Sequence, residues 1–239
     1  MLKIYAANSL SESEIEVLLM KIEMHTHTSE ASPCANVSAK EIPSLYRQAG
    51  YDAIVITDHY CKWAQERSGA QTADAYAQYF LNGYRTAKAA GDQIGFPVLL
   101  GAEANLPGSP NDYLLYGITE KFILQHPDLH EMTLKELYAL CQKEHILLLQ
   151  AHPYRTYCTP ADPAYLDGAE SYNGNPRHNN QNKLAAEWAG KHHMIQSSGS
   201  DFHELEDVAK GGIETSIPVT DTRTLYQVLC SGGYKLLTP

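Results

Sequence analysis

Apolar and polar residues change their period several times along the chain, and the changes divide it into alternating strands and helices. Residues 21–28, KIEMHTHT, alternate with period two and predict a strand, followed by a loop containing Pro33 and Asn36. SAKEIPSLYRQAG (38–50) predicts a helix, with Ser38 as N-cap, Glu41 completing a capping box and Gly50 as the stop. YDAIVITDH (51–59) is a β-branched run typical of a strand buried on both faces. A helix over 72–91 then leads to strands over 97–105 and 112–118. Thr133 and Glu136 form a second capping box that opens a helix ahead of a strand at 146–153. A strand at 168–174, a helix at 180–192, a strand at 194–201, the short stretch GGIETSI and a helix near 222–231 complete the order. Such alternation predicts a parallel sheet with right-handed crossovers, either open and doubly wound or closed as a barrel, and about seven units favour the barrel.

The length, 239 residues, suits one α/β barrel, so residues 21–239 are expected to form a single domain. Residues 1–20 stand apart as an N-terminal extension with two open readings: either Met20 is the native start, or residues 12–19 pack as a short helix on the barrel's bottom. No apolar run reaches the length needed to cross a bilayer, and the first residues lack the basic and apolar regions of a secretory signal. The expected location is therefore cytoplasmic, without a membrane partner. Five widely spaced cysteines with no C-x-x-C are expected to be reduced thiols, although Cys34 is near enough to His27 in sequence to reach the same site. The formal net charge of −10, without a Lys/Arg cluster, works against binding a polynucleotide. A small anion at a metal ion remains compatible with that charge. Oligomeric state is not legible.

Parallel α/β folds present their chemistry at the carboxyl ends of the strands. His25 and His27 end the first predicted strand, Asp58 and His59 the second, Glu103 the third, His152 a later one, and Asp201 and His203 the last. In a strand, residues two apart face one side, so the H-x-H pair aims two imidazoles at one point. Imidazole with carboxylate suits Zn²⁺, Mn²⁺ or Fe²⁺ better than Mg²⁺ or Ca²⁺. The surplus of ligands over one ion's needs points to two or three ions sharing a carboxylate. His126, His130, His145, His192 and His193 fall in loops or at helix ends, where solvated roles are common. His178, Arg177 and Arg155 lie just beyond predicted strand ends and are candidates for contact with substrate, since a guanidinium fits phosphate bidentately.

With HTHT, TDH, GAE, AHP and GSDFH in this order, the chain resembles the polymerase and histidinol phosphatase (PHP) family over residues 21 to about 215. The resemblance implies a distorted barrel of seven β/α units, related to the TIM barrel. It also implies metal-dependent phosphoesterase activity. His25, His27, Glu103 and Asp201 would surround one ion, Glu103 would bridge to a second held also by His152, and His59 and His203 would serve the remaining position. Two departures stand out. Thr119 occupies the place where trinuclear members carry a further histidine, and the segment after H-x-H offers only Glu30, Ser32 or Cys34.

The expected activity is hydrolysis of a small phosphomonoester, such as histidinol phosphate or a nucleotide, by a hydroxide bridging two ions. Asp201, His203 and His178 are the catalytic candidates, and Arg177 and Arg155 the substrate-binding ones. An amidohydrolase-like C–N hydrolase is the enzymatic alternative, weakened because no predicted strand ends in lysine. A metal-binding PHP domain without catalysis is the other.

Overall fold

The structure, a computed structural model, describes residues 19–239, so the two readings of the N-terminal extension lie outside the described residues. Its first strand, β1 (Met20–Thr26), is followed by the helix α1 (Ile42–Gln48), and the next strand, β2 (Ala53–Ile56), lies parallel to β1. Then come β3 (His59–Tyr60), α2 (Lys62–Ser68), α3 (Ala73–Ile94), β4 (Val98–Asn105), β5 (Asp112–Tyr116), α4 (Glu120–Gln125), α5 (Leu134–Glu144) and β6 (Leu147–Gln150). The remaining elements are β7 (Gly168–Asn173), α6 (Asn182–Lys191), β8 (Ile195–Gly199), β9 (Gly212–Thr215), α7 (Thr222–Ser231) and β10 (Tyr234–Leu237). The strands form one sheet in the order β10-β9-β1-β2-β4-β5-β6-β7-β8, with β3 on β4.

This sheet curls into a nearly closed barrel. The lower half of β1 pairs antiparallel with β9, while its upper end meets the chain just past β8 through a parallel bridge from Thr26 to Phe202. His27 N–H donates to the Phe202 carbonyl at 2.9 Å and Phe202 N–H to that of His25 at 3.1 Å. Buried Glu23 ties the same seam: its carboxylate accepts the backbone N–H groups of Met24, His25 and Ser200 and the Ser200 hydroxyl. The seven-unit barrel is thus present, but not as an all-parallel sheet. β5 runs antiparallel to both β4 and β6, and β9 and β10 add an antiparallel edge.

One apolar layer packs the helices on the sheet, with Tyr76, Phe80 and Leu81 of α3 against Leu100 and Ala102 of β4. A second fills the barrel with Ile22, Val55, Leu99, Leu114 and Leu149, closed below by Leu225, Val228 and Leu229 of α7. Ile22 therefore faces inward, and strict alternation would turn His25 and His27 out. A slip in the β1–β2 register between Glu23 and Thr26 inserts one residue, and this β-bulge returns both histidines to the inner side.

Two local expectations change. The helix expected from Ser38 begins only at Ile42 and has no side-chain cap: residues 38–41 form a turn closed by Glu41 N–H on the Ser38 carbonyl, and the Ser38 hydroxyl accepts from Lys40 N–H at 3.4 Å while donating to Glu30 at 2.7 Å. The stretch without an expected element, between the expected strand ending at His59 and the helix expected from residue 72, contains α2, whose N-cap Cys61 accepts the Ala64 N–H. Farther along, α3 runs through Gly83, where a Cβ would lie 2.3 Å from Thr28 Oγ1 and 2.4 Å from Asp58 Oδ2. Only glycine lets α3 approach the underside of the histidine-bearing loop so closely.

Candidate metal centre

The bulge in β1, the parallel strands and one antiparallel strand together deliver a cluster of imidazoles and carboxylates to one rim. Glu103 on β4 is in register with His59 on β3, and their side chains meet at 3.0 Å, His59 Nδ1 to Glu103 Oε2. Glu103 Oε2 also lies 3.3 Å from His27 Nε2, and Oε1 lies 3.4 Å from His25 Nε2 and 3.0 Å from His152 Nε2. Asp201 Oδ1 is 3.5 Å from both His25 Nε2 and His27 Nε2, and 3.4 Å from His203 Nδ1. His25, His27, His59, Glu103, His152, Asp201 and His203 thus come together around Glu103. His152 (φ +29°) and Asp201 (φ +50°) sit in left-handed backbone at their strand ends, a strain commonly stored at functional sites.

Three groups of side chains here have ligand atoms within 4.8 Å of one another: His25, His27 and Glu103; Glu103, Asp112 and His152; and His27, His59 and His203. Asp112 is the member that sequence reasoning passed over. Because β5 is antiparallel, its first residue, not its last, stands at the rim, and Asp112 Oδ2 lies 3.9 Å from His152 Nε2. Thr119, the position compared with a relative's histidine, instead caps α4 by accepting the Phe122 N–H, beyond the far end of β5. Glu30 is turned away as well, accepting from Ser38 Oγ and Ala39 N–H at 2.7 Å each.

The outer partners explain how the rings are aimed. His25 Nδ1–H donates to Glu170 Oε1 at 2.9 Å, and the other Glu170 oxygen accepts the His152 N–H. Ser32 donates to Asp58 and accepts from His27 Nδ1–H at 3.0 Å and from the His59 backbone N–H. With both Nδ1 atoms protonated, the Nε2 lone pairs of neutral His25 and His27 point at each other across 3.1 Å. That contact needs a proton or a metal ion between the two nitrogens, and with the rings deprotonated the donor set fits divalent ions bound between these rings and Glu103. Carboxylate-bound imidazoles are the usual orientation device at such sites.

Electrostatics agree with this reading. Burial lowers the pKa of His25, yet Glu170, Glu103 and Asp201 hold it well above the ordinary imidazole range. Burial and Arg155 pull His152 down, but its bonds with Cys158 and Glu103 keep it at about 10. Burial raises Glu103, while His25 and His59 hold it well below the usual carboxylate range. Burial and the Glu103 charge push Asp112 up to about 6. Protons therefore balance these carboxylates, in the positions that divalent ions would take.

The substrate-side candidates divide. Arg155 is buried, donating to Asp201 Oδ2 at 2.5 Å, Asn180 Oδ1 at 2.8 Å and Asn173 Oδ1 at 3.2 Å. Arg177 forms a two-pronged pair with Asp207 at 2.6 and 2.7 Å on the rim. His178 is exposed and lines an asparagine-rich hollow of about 560 Å³ with Asn173, Asn175 and Asn180.

Fold and donor set together define an α/β barrel with a histidine–carboxylate cluster suited to divalent ions. The model of the PHP domain matches residues 23–217, and the chain belongs to that family. No curated protein matches the sequence. Among solved structures, a two-domain protein from Bacteroides vulgatus containing a predicted PHP-like metal-dependent phosphoesterase is similar at 13% identity, with a TM-score of 0.70, covering 99% of this chain and 70% of that one. An amidohydrolase from Chromobacterium violaceum, with sulfate bound and no metal, is similar at 16% identity and a TM-score of 0.57, over 91% of this chain and 98% of that one. The lesion-specific endonuclease PfuEndoQ from Pyrococcus furiosus gives 13% and 0.57 over 92% of this chain and 58% of that one. At such identities these likenesses concern the fold.

Proposed function

We propose that the chain is a metal-dependent phosphatase acting on a small phosphomonoester, with His25, His27, His59, Glu103, Asp112, His152, Asp201 and His203 holding two or three Mn²⁺, Zn²⁺ or Fe²⁺ ions. The observation that carries this reading is the placement of Glu103 between two ligand groups, with Oε1 toward His152 and Oε2 toward His27. Glu103 could be shared by two ions, held also by His25 and His27 on one side and by His152 and Asp112 on the other, and such a pair would stabilise the charge of a phosphoryl group undergoing displacement. Ions bound there supply Lewis acidity and lower the pKa of water toward neutrality.

The chain's own groups do the rest. Asp201, held by Arg155 and by Asn173 Nδ2–H at 3.2 Å, fixes one side of the cluster. Arg155 from within and Arg177 from the rim add positive potential for the phosphate, and Arg177 shares its guanidinium between Asp207 and the ligand. His178, exposed in the hollow beside Asn173 and Asn175, would be the proton donor to the leaving oxygen. Partial burial and Arg155 lower its pKa, and a phosphate beside it would reverse that shift and load the ring with a proton.

The test is a panel of phosphorylated metabolites assayed with each metal, beside amide and deamination substrates. Phosphomonoester turnover that vanishes on chelation and returns with divalent ion is expected. Equal turnover by metal-free protein would sink the reading, C–N hydrolysis alone would favour the amidohydrolase, and silence with bound metal would favour a binding module.

A further inference from the structure

The imidazoles of the cluster are aimed by unlike partners. His25 gives its Nδ1–H to a carboxylate, His27 to a hydroxyl and His203 to a backbone carbonyl. His152 faces sulfur instead, its Nδ1 lying 3.7 Å from Cys158 Sγ. We infer that Cys158 is the positioning residue of His152, accepting its Nδ1–H through sulfur and so presenting Nε2 to an ion shared with Glu103 and Asp112. This assignment rests on the metal-dependent reading proposed above.

A second contact of the thiol fixes the direction of that bond. Cys158 Sγ is also 3.7 Å from the Pro110 carbonyl oxygen, which can only accept, so the single thiol proton goes there. The sulfur lone pairs are left for the ring. With its proton drawn to Nδ1, His152 turns Nε2 toward Glu103 Oε1 at 3.0 Å, where a proton or a metal ion must lie between the two.

Hydrogen bonds on both sides of Cys158 hold the thiol in place. Arg155 N–H donates to the His152 carbonyl at 3.0 Å and Cys158 N–H to the Arg155 carbonyl at 2.7 Å, so two consecutive turns fold the chain back onto the His152 ring. The next residue, Thr159, is gripped by the Asn111 side chain through its N–H at 3.0 Å and its carbonyl at 2.8 Å. The same carbonyl accepts from Gln150 Nε2–H at 2.9 Å. Asn111 immediately precedes Asp112, and Gln150 lies two residues before His152. The two segments that bring Asp112 and His152 to Glu103 therefore also set the thiol beside one of them. Cys158, Asn111 and Gln150 are all buried, and away from water a hydrogen bond is electrostatically stronger.

The chemical consequence is an unequal pair of sites. A thiol sulfur is a weak acceptor beside a carboxylate, so Cys158 raises the basicity of His152 less than Glu170 raises that of His25. The ion at Glu103, Asp112 and His152 is the more readily exchanged of the two.

Stepwise zinc titration of the chelator-stripped protein, with the histidine ring N–H signals of the zinc-loaded protein followed by NMR, tests this. The wild type is expected to bind one ion more weakly than another and to show a slowly exchanging Nδ1–H on His152. In Cys158→Ala the weaker affinity is expected to fall about 10- to 100-fold while the tighter one holds, and the Nδ1–H signal is lost to exchange with water. Cys158→Ser, close in size, keeps an acceptor and is expected to retain part of both, which separates hydrogen bonding from packing. Equal losses in the two variants, or a Cys158→Ala protein whose affinities and Nδ1–H signal match the wild type, would overturn the role of Cys158 and leave the metal centre standing. Protein that takes up no zinc at all would overturn both.

Discussion

Replacing Asp112 with asparagine keeps the side chain's shape and removes the charge facing Glu103 and His152. If Asp112 completes the second ion's shell, Asp112→Asn lowers kcat/KM by about 100-fold or more and the bound metal falls, both measurable on one preparation. Thr119→Ala makes the contrast: it deletes the cap of α4, costs about 1 kcal/mol in denaturant unfolding and leaves turnover unchanged. The histidines and Glu103 were legible because a strand-end rule finds ligands wherever strands run parallel. Asp112 escaped that rule because β5 is reversed, so its rim end is its start. Glu170 was hidden for a different reason, since it sits inside a strand that reads as ordinary alternation and its partner His25 is 145 residues away. Acidic Glu30, a tempting ligand by proximity, is drawn off by the free N–H of Ala39 and the hydroxyl of Ser38, a competition that no spacing reveals.

Among the elements, the seam between β1 and the end of β8 decides whether the cluster is assembled, since β1 brings His25 and His27 and the residues past β8 bring Asp201 and His203. Glu23 bonds both sides of that seam from full burial. Glu23→Ala strands the N–H groups of Met24, His25 and Ser200, and we expect a loss of about 3 kcal/mol or more in urea unfolding. Glu23→Gln retains an acceptor and is expected to lose less; equal losses would mean that the seam is held by packing alone. Most strands and helices followed from periodicity, though not β10, α2 or α4, and α5 begins at the capping box read from Thr133 and Glu136. The box read from Ser38 and Glu41 failed because Glu41 N–H closes a turn on the Ser38 carbonyl ahead of the helix, so Glu41 is itself the cap position and not the third helical residue. Strand direction was the larger loss: β4 and β5 are joined by a short turn, which permits an antiparallel pair, and apolar alternation is the same for either direction.

At the scale of the whole molecule, the net charge of −10 and the positive pull of a loaded metal centre act in opposite directions on an anionic substrate. A long polynucleotide meets mainly the acidic surface, whereas a small phosphomonoester reaches the centre and meets mainly the ions. Turnover of the small ester should therefore depend weakly on salt, and a steep inverse salt dependence on an oligonucleotide would instead show a phosphate-tracking surface. The same charge balance links metal loading to pH. In the metal-free cluster the neighbouring carboxylates raise His25 and His59 well above their ordinary range against the cost of burial, so both rings carry protons at neutral pH. A divalent ion binds the unprotonated ring, and each ring it takes must release its proton. Apparent affinity should consequently rise with pH across the neutral range and fall on acidification. Calorimetric titration of zinc into the chelator-stripped protein, in two buffers of different ionisation enthalpy, should show protons released per ion bound. Identical heats in both buffers would mean that the rings are already neutral and that the carboxylates balance no charge before the ions arrive.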